Sequence, residues 1–166
     1  MTSLDPGIDP VAFQALKDRM DVTDVLYRYA STIDSKNYPV LRSVLADDLW
    51  AQYGPMEPVI GADQVMSFII EYTKTAVWQH HLLSVYHVDV DGDHAKALVY
   101  HTSRQLFEED PETMNLLVAR YHNELRREPT GWKISKLVFE RLWAEQGKDT
   151  TGFHATMGGP GPSPLP

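Results

Sequence analysis

Residues 77–107, VWQHHLLSVYHVDVDGDHAKALVYHTSRQLF, decide the fold. Beyond Lys74 the apolar periodicity changes from helical to alternating, and the run divides at Asp91-Gly92-Asp93. Asp-Gly between alternating segments is among the strongest short hairpin signals. The stretch therefore predicts two long antiparallel strands, Val77 to Asp91 and Ala95 to Phe107. C-terminal to them an acidic loop, Glu108 to Glu112, leads to a third strand, Asn115 to Arg127. Pro129-Thr130-Gly131 then separates it from a fourth, Trp132 to Leu142, with Ile134, Leu137 and Phe139 among its apolar members.

N-terminal to the hairpins the pattern is helical. Asp9-Pro10 opens a short helix to about Lys17, because Asp caps free amides and Pro is tolerated at the first helical position. In a second helix Val22, Val25, Leu26, Tyr29, Ala30 and Ile33 recur on one face, and it ends near Asp34-Ser35. Pro39 opens a third through Leu45, and Asp47 and Asp48 are expected to cap or terminate it. Leu49 to Tyr53 reads as a short strand or edge, cut off by Gly54-Pro55. Gly61-Ala62-Asp63 starts another helix, carrying Val65, Met66, Phe68, Ile69 and Tyr72 toward the interior. Helices first and hairpins last is the α+β pattern, not a βαβ alternation. From Gly147 the composition shifts to Gly, Pro, Ser and Thr, giving one domain over 1–147 and a Gly/Pro-rich tail over 148–166.

The 166 residues, 43% hydrophobic, suffice for one ordinary core. There is no cysteine, so disulfides and thiolate chemistry are excluded. The start carries no signal-peptide pattern and no apolar run approaches a bilayer span, which gives the expectation of a cytoplasmic protein without a membrane partner. A net charge of −8 repels phosphate backbones, so nucleic acid is not an expected partner.

Seven segments recur here in one order: Tyr29-Ala30 with Asp34; Leu41 with Leu45-Ala46-Asp47-Asp48; Gly61-Ala62-Asp63; His80-His81-Leu82-Leu83; Val88-Asp89-Val90-Asp91-Gly92-Asp93 with Ala95; Arg120 to Arg127; and Gly131-Trp132-Lys133-Ile134. Over about Met20 to Leu142 this set resembles the SnoaL-like branch of the nuclear-transport-factor-2-like superfamily. The resemblance implies a cone-shaped, curved antiparallel sheet closed by the N-terminal helices around a deep pocket. It extends to scytalone dehydratase, bile-acid 7α-dehydratase and hexachlorocyclohexane dehydrochlorinase, lyases built on an Asp-His pair, whose two places Asp34 and His81 occupy.

His80 and His81 are adjacent on a strand, so only one enters the pocket, which argues against a shared metal. The family pattern places His81 inside, and a β-bulge after it would reverse the choice. The alternative for Asp34 is a solvated turn residue, and for His81 a structural histidine. His101 lies on the face of Ala95, Ala97, Val99 and Ser103 that would floor the pocket. Tyr29 and Tyr53 are candidates to point hydroxyls at a substrate oxygen, or else are core packing. Leu117, Ala119, Tyr121 and Asn123 share one face of the third strand, and Arg141 either reaches the same cavity or is a rim or interface cation. These expectations amount to a lyase (dehydratase) or isomerase using Asp34 and His81, with no cofactor and no metal, acting on a hydrophobic, cyclic small molecule. The alternative is a non-catalytic binding or scaffold subunit, including one like a dioxygenase small subunit. An apolar outer sheet face adds the expectation of a homodimer or homotrimer.

Overall fold

The computed structural model describes residue 7 and residues 9–148. The two N-terminal helices of the sequence reading are one, α1 (Pro10–Asp34). Nothing between Lys17 and Val22 breaks a helix, and the i,i+4 pairs Gln14 with Asp18 and Lys17 with Asp21 bridge the supposed gap. Asp9 caps the helix as expected, accepting from the Val11 amide. α2 (Tyr38–Ser43) follows, with the Asn37 side chain as its cap. β1 (Leu45–Tyr53) starts earlier than expected and takes in Asp47 and Asp48, which therefore end no helix. They are exposed strand residues, paired with Arg42 and Arg126.

After β2 (Val59–Ile60) comes α3 (Ala62–Thr73), whose buried face is Ala62, Val65, Met66, Ile69 and Thr73. Tyr72, expected inside, is instead about half exposed, and its hydroxyl reaches Gln105. The long strands are β3 (Ala76–Asp91), β4 (His94–Phe107), β5 (Asp110–Glu128) and β6 (Gly131–Lys148). The β3–β4 turn is two residues, and Gly92 has φ +57°, a conformation L side chains rarely adopt. The acidic loop shrinks to the two residues between β4 and β5. The expected tail lies outside the described residues, apart from Lys148, which ends β6.

The six strands form one open, curved sheet in the order β2-β1-β6-β5-β4-β3. Every pairing is antiparallel except β1 with β6, so the sheet is mixed. Register shifts at Ala76/Trp78, Val85/His87, Val118/Ala119 and Glu124/Leu125 each add local bend and twist. α1 and α3 pack into the resulting hollow, and their apolar faces meet Val88, Ala95, Ala97, Val99, Leu125, Ile134 and Leu137 from the sheet. At the β3–β4 turn end, Arg127 ties α1 to the sheet. It ion-pairs with Asp18 at 2.8 Å and Asp93 at 2.9 Å, and its guanidinium lies 4.4 Å from the centre of the Trp132 ring. No helix among the described residues is long and apolar enough to cross a membrane.

Candidate active site

Asp34 is the last residue of α1, where the helix dipole disfavours a carboxylate unless donors meet it. Two do, both from His81. The His81 backbone N–H donates to Oδ2 at 2.8 Å, and Nδ1 lies 2.5 Å from Oδ1. The pair is held by contacts on either side, since the Gln79 amide donates to the Ile33 carbonyl and Lys36 Nζ to the Ala76 carbonyl. The His81 side chain is 8% exposed and that of Asp34 17%. Nε2 of His81 has no hydrogen-bond partner among the described residues.

Which histidine turns inward is decided by a bulge. Near the turn, Val88 and Val90 pair with Ala97 and Ala95 and face the hollow. Simple alternation from them would bring in His80. Tyr86 is an extra residue between the Val85–Val99 and His87–Leu98 pairs, so beyond it the odd-numbered residues Val85, Leu83, His81 and Gln79 face inward. A bulge after His81 is thus present, yet it selects His81, opposite to the consequence expected for it.

His81 opens on a cavity of about 500 Å³. One wall is aromatic: Tyr53 stacks on Phe68 at 4.7 Å between ring centres, and Tyr121 packs against Phe139 at 5.2 Å. Tyr29 and Tyr53 share a hydroxyl–hydroxyl hydrogen bond of 3.0 Å, so one of the two retains an O–H free to donate elsewhere. Burial pushes the Tyr53 phenol up to about 12, and Tyr29 and Tyr121 well above their ordinary value. All three are neutral donors.

His101 stacks on His81 at 4.9 Å between ring centres and is 2% exposed. Neither of its ring nitrogens has a hydrogen-bond partner, nor does Ser103 Oγ, an arrangement that natural cores rarely leave without a reason. Burial, with a smaller contribution from His81, pushes the His101 pKa down to about 3, so its imidazole is neutral. Below the unfolded value of about 6.5 the unfolded chain takes up a proton that the folded chain refuses until about pH 3. Stability is therefore full above that window and falls as pH drops through it. Denaturant melts should show a loss on the order of 2–3 kcal/mol between about pH 6.5 and about pH 4 that is smaller in His101→Leu. Equal slopes in the two proteins would contradict the burial of a neutral His101.

Of the candidates read from the sequence, Asp34 and His81 meet each other, while Tyr29, Tyr53, His81, His101, Tyr121 and Arg141 line the cavity. Asn123 does not. It is buried one row deeper, between its strand partners Ala97 and Leu137, because a shared strand face fixes direction but not depth. Sequence reasoning missed Gln105, Phe139 and the Gly54-Pro55-Met56 turn as parts of the wall. The alternation in β4 that marks His101 and Ser103 also points to Gln105, and Phe139 stands two residues before Arg141. Among the described residues no group of three or more His, Asp or Glu side chains converges as metal ligands do.

Residues 14–138 match the family model of the SnoaL-like domain. An uncharacterized protein of Mycobacterium tuberculosis is 24% identical over 124 residues, 74% of this chain and 84% of that protein. A protein of Kribbella flavida superposes with a TM-score of 0.73 at 22% identity, covering 79% of this chain and 95% of that one. A hexachlorocyclohexane dehydrochlorinase from Novosphingobium barchaimii does so with a TM-score of 0.74 at 17% identity, covering 82% and 94%. At such identities the solved structures speak for the fold alone. The family match runs from α1 into β6 and takes in both Asp34 and His81, and on that ground the chain belongs to the SnoaL-like domain family.

Proposed function

We propose that the protein is a cofactor-independent lyase or isomerase acting on a hydrophobic, cyclic small molecule, with His81 as general base and Asp34 as the group that orients it. The observation that carries this reading is the hydrogen bond between Asp34 Oδ1 and His81 Nδ1 at the edge of an apolar cavity. Asp34 accepts the Nδ1 proton and so leaves Nε2 as the bare nitrogen. Nε2 takes a proton from a carbon next to a carbonyl, and the electron pair moves onto the carbonyl oxygen. A neutral phenol, Tyr121 or the free O–H of the Tyr29–Tyr53 pair, donates to that oxygen as charge develops. In a dehydration the enolate then expels a β-hydroxyl, which leaves as water with the proton held by His81. In an isomerisation the same proton returns to the γ-carbon. Both routes balance without an added oxidant or reductant.

Thermal shift against a panel of cyclic ketones and alcohols finds binders, because a ligand of the native state raises its apparent stability. Binders are then incubated with the protein and examined by mass spectrometry and proton NMR. The proposal expects at least one to lose water or shift a double bond with wild type and not with His81→Gln. Binders that remain unchanged with wild type would instead support a ligand-binding role.

A further inference from the structure

Arg141 is the only Asp, Glu, Lys or Arg side chain on the cavity wall among the described residues. The sequence does not lack partners for arginines elsewhere: Arg42, Arg120, Arg126 and Arg127 each hold one or two carboxylates. The Arg141 side chain forms no hydrogen bond, ion pair or ring contact among the described residues. Its neighbour Glu140 points to the other sheet face, where it binds Arg120 and His122. The inward direction of Arg141 follows from alternation with Phe139, and its exposure puts the guanidinium at the cavity mouth.

Register fixes where that cation stands relative to the deep polar groups. His101, Ala119 and Arg141 are strand partners in one row across β4, β5 and β6. Two strand spacings separate the outer members, so their α-carbons are about 10 Å apart. The wall between is apolar, with Leu117 and Phe139 beside the row. Unpartnered neutral groups, His101 and Ser103, thus lie at one end and an unpartnered cation at the other.

We propose that the ligand is an amphipathic acid: an apolar ring body bearing one carboxylate, which Arg141 binds at the mouth while the uncharged polar end sits against His101 and Ser103. This rests on the cavity being the ligand site of the proposed function. A guanidinium offers a planar pair of donors that matches a carboxylate, and charge-assisted bonds of this kind are the stronger ones. It also gives the reaction an orientation, because the charged end is held away from His81.

Two fluorescent probes with one ring body test it: anilinonaphthalene sulfonate, which is anionic, and N-phenylnaphthylamine, which is neutral. Both should bind the wild-type protein, and Leu117→Trp, which fills the cavity, should weaken both. Arg141→Met should weaken the sulfonate about five- to tenfold and the neutral probe less than about twofold, with Arg141→Lys in between for the sulfonate. If Arg141→Met changes neither probe, or both alike, the anionic-ligand inference is overturned while the cavity reading stands. If neither probe responds to Leu117→Trp, the cavity reading falls and the inference with it.

Discussion

His81→Gln should lower kcat/KM about a thousandfold on any compound the protein converts, the usual scale for loss of a positioned general base. Glutamine has no nitrogen that accepts a proton, and the neighbouring His101 does not substitute for it, because burial disfavours the charged form of that imidazole. Asp34→Asn should cost about a hundredfold or more through a different route. The Asn oxygen can still accept from the His81 backbone N–H, so the helix end stays attached to β3. Its NH2 then faces Nδ1, which must become the acceptor, and the imidazole proton moves to Nε2. His81 would present a proton where it should present a lone pair. Steady-state kinetics with circular dichroism on both variants checks this: a folded Asp34→Asn protein with undiminished kcat/KM would remove the orienting role of Asp34.

Arg127→Met should be the most destabilising change at the β3–β4 turn end of the fold, about 3 kcal/mol in a urea melt. Asp18 is 5% exposed, and the Arg127 hydrogen bond holds its carboxyl below the usual range. Without the guanidinium, a buried carboxylate is left unpaired and the Trp132 ring loses its cover. Asp18→Leu combined with Arg127→Met should recover most of the loss, because removing both charges avoids the unpaired one. The pH sign follows: with its folded pKa depressed, Asp18 contributes stability above its unfolded value of 3.8, and that contribution is lost as pH falls through the lower folded value. If Arg127→Met costs no more than the double variant, the pair holds nothing that packing does not.

The long hairpin was legible because local chemistry fixes it: Asp91-Gly92-Asp93 permits a two-residue turn, and strict alternation runs along β4 from Ala95 to Ser103. β1 was less so. Leu45 and Ala46 are both buried and Asp47 and Asp48 both exposed, a two-by-two pattern that mimics a helix end, and its parallel partner β6 lies some ninety residues away along the chain. Pairings of that range leave no mark in a local window. The proximity of Asp34 and His81 entered through resemblance, since nothing in either segment alone brings a helix end to a strand 47 residues later. Depth was the other failing. Asn123 and Tyr121 have the same periodicity, yet Tyr121 borders the cavity at His81 and Asn123 does not. His81 faces the cavity, but its inward turn depends on Tyr86 being looped out, which alternation does not foretell.

The site's central feature is the contact between Asp34 Oδ1 and His81 Nδ1, and nitrogen NMR of histidine-labelled protein reads which ring nitrogen carries the proton without any substrate. The signal of His81, assigned by its absence from His81→Gln, should show for the neutral ring a protonated Nδ1 and a bare Nε2, and Asp34→Asn should move the proton to Nε2. A wild-type neutral ring already protonated at Nε2 would contradict the general-base assignment outright.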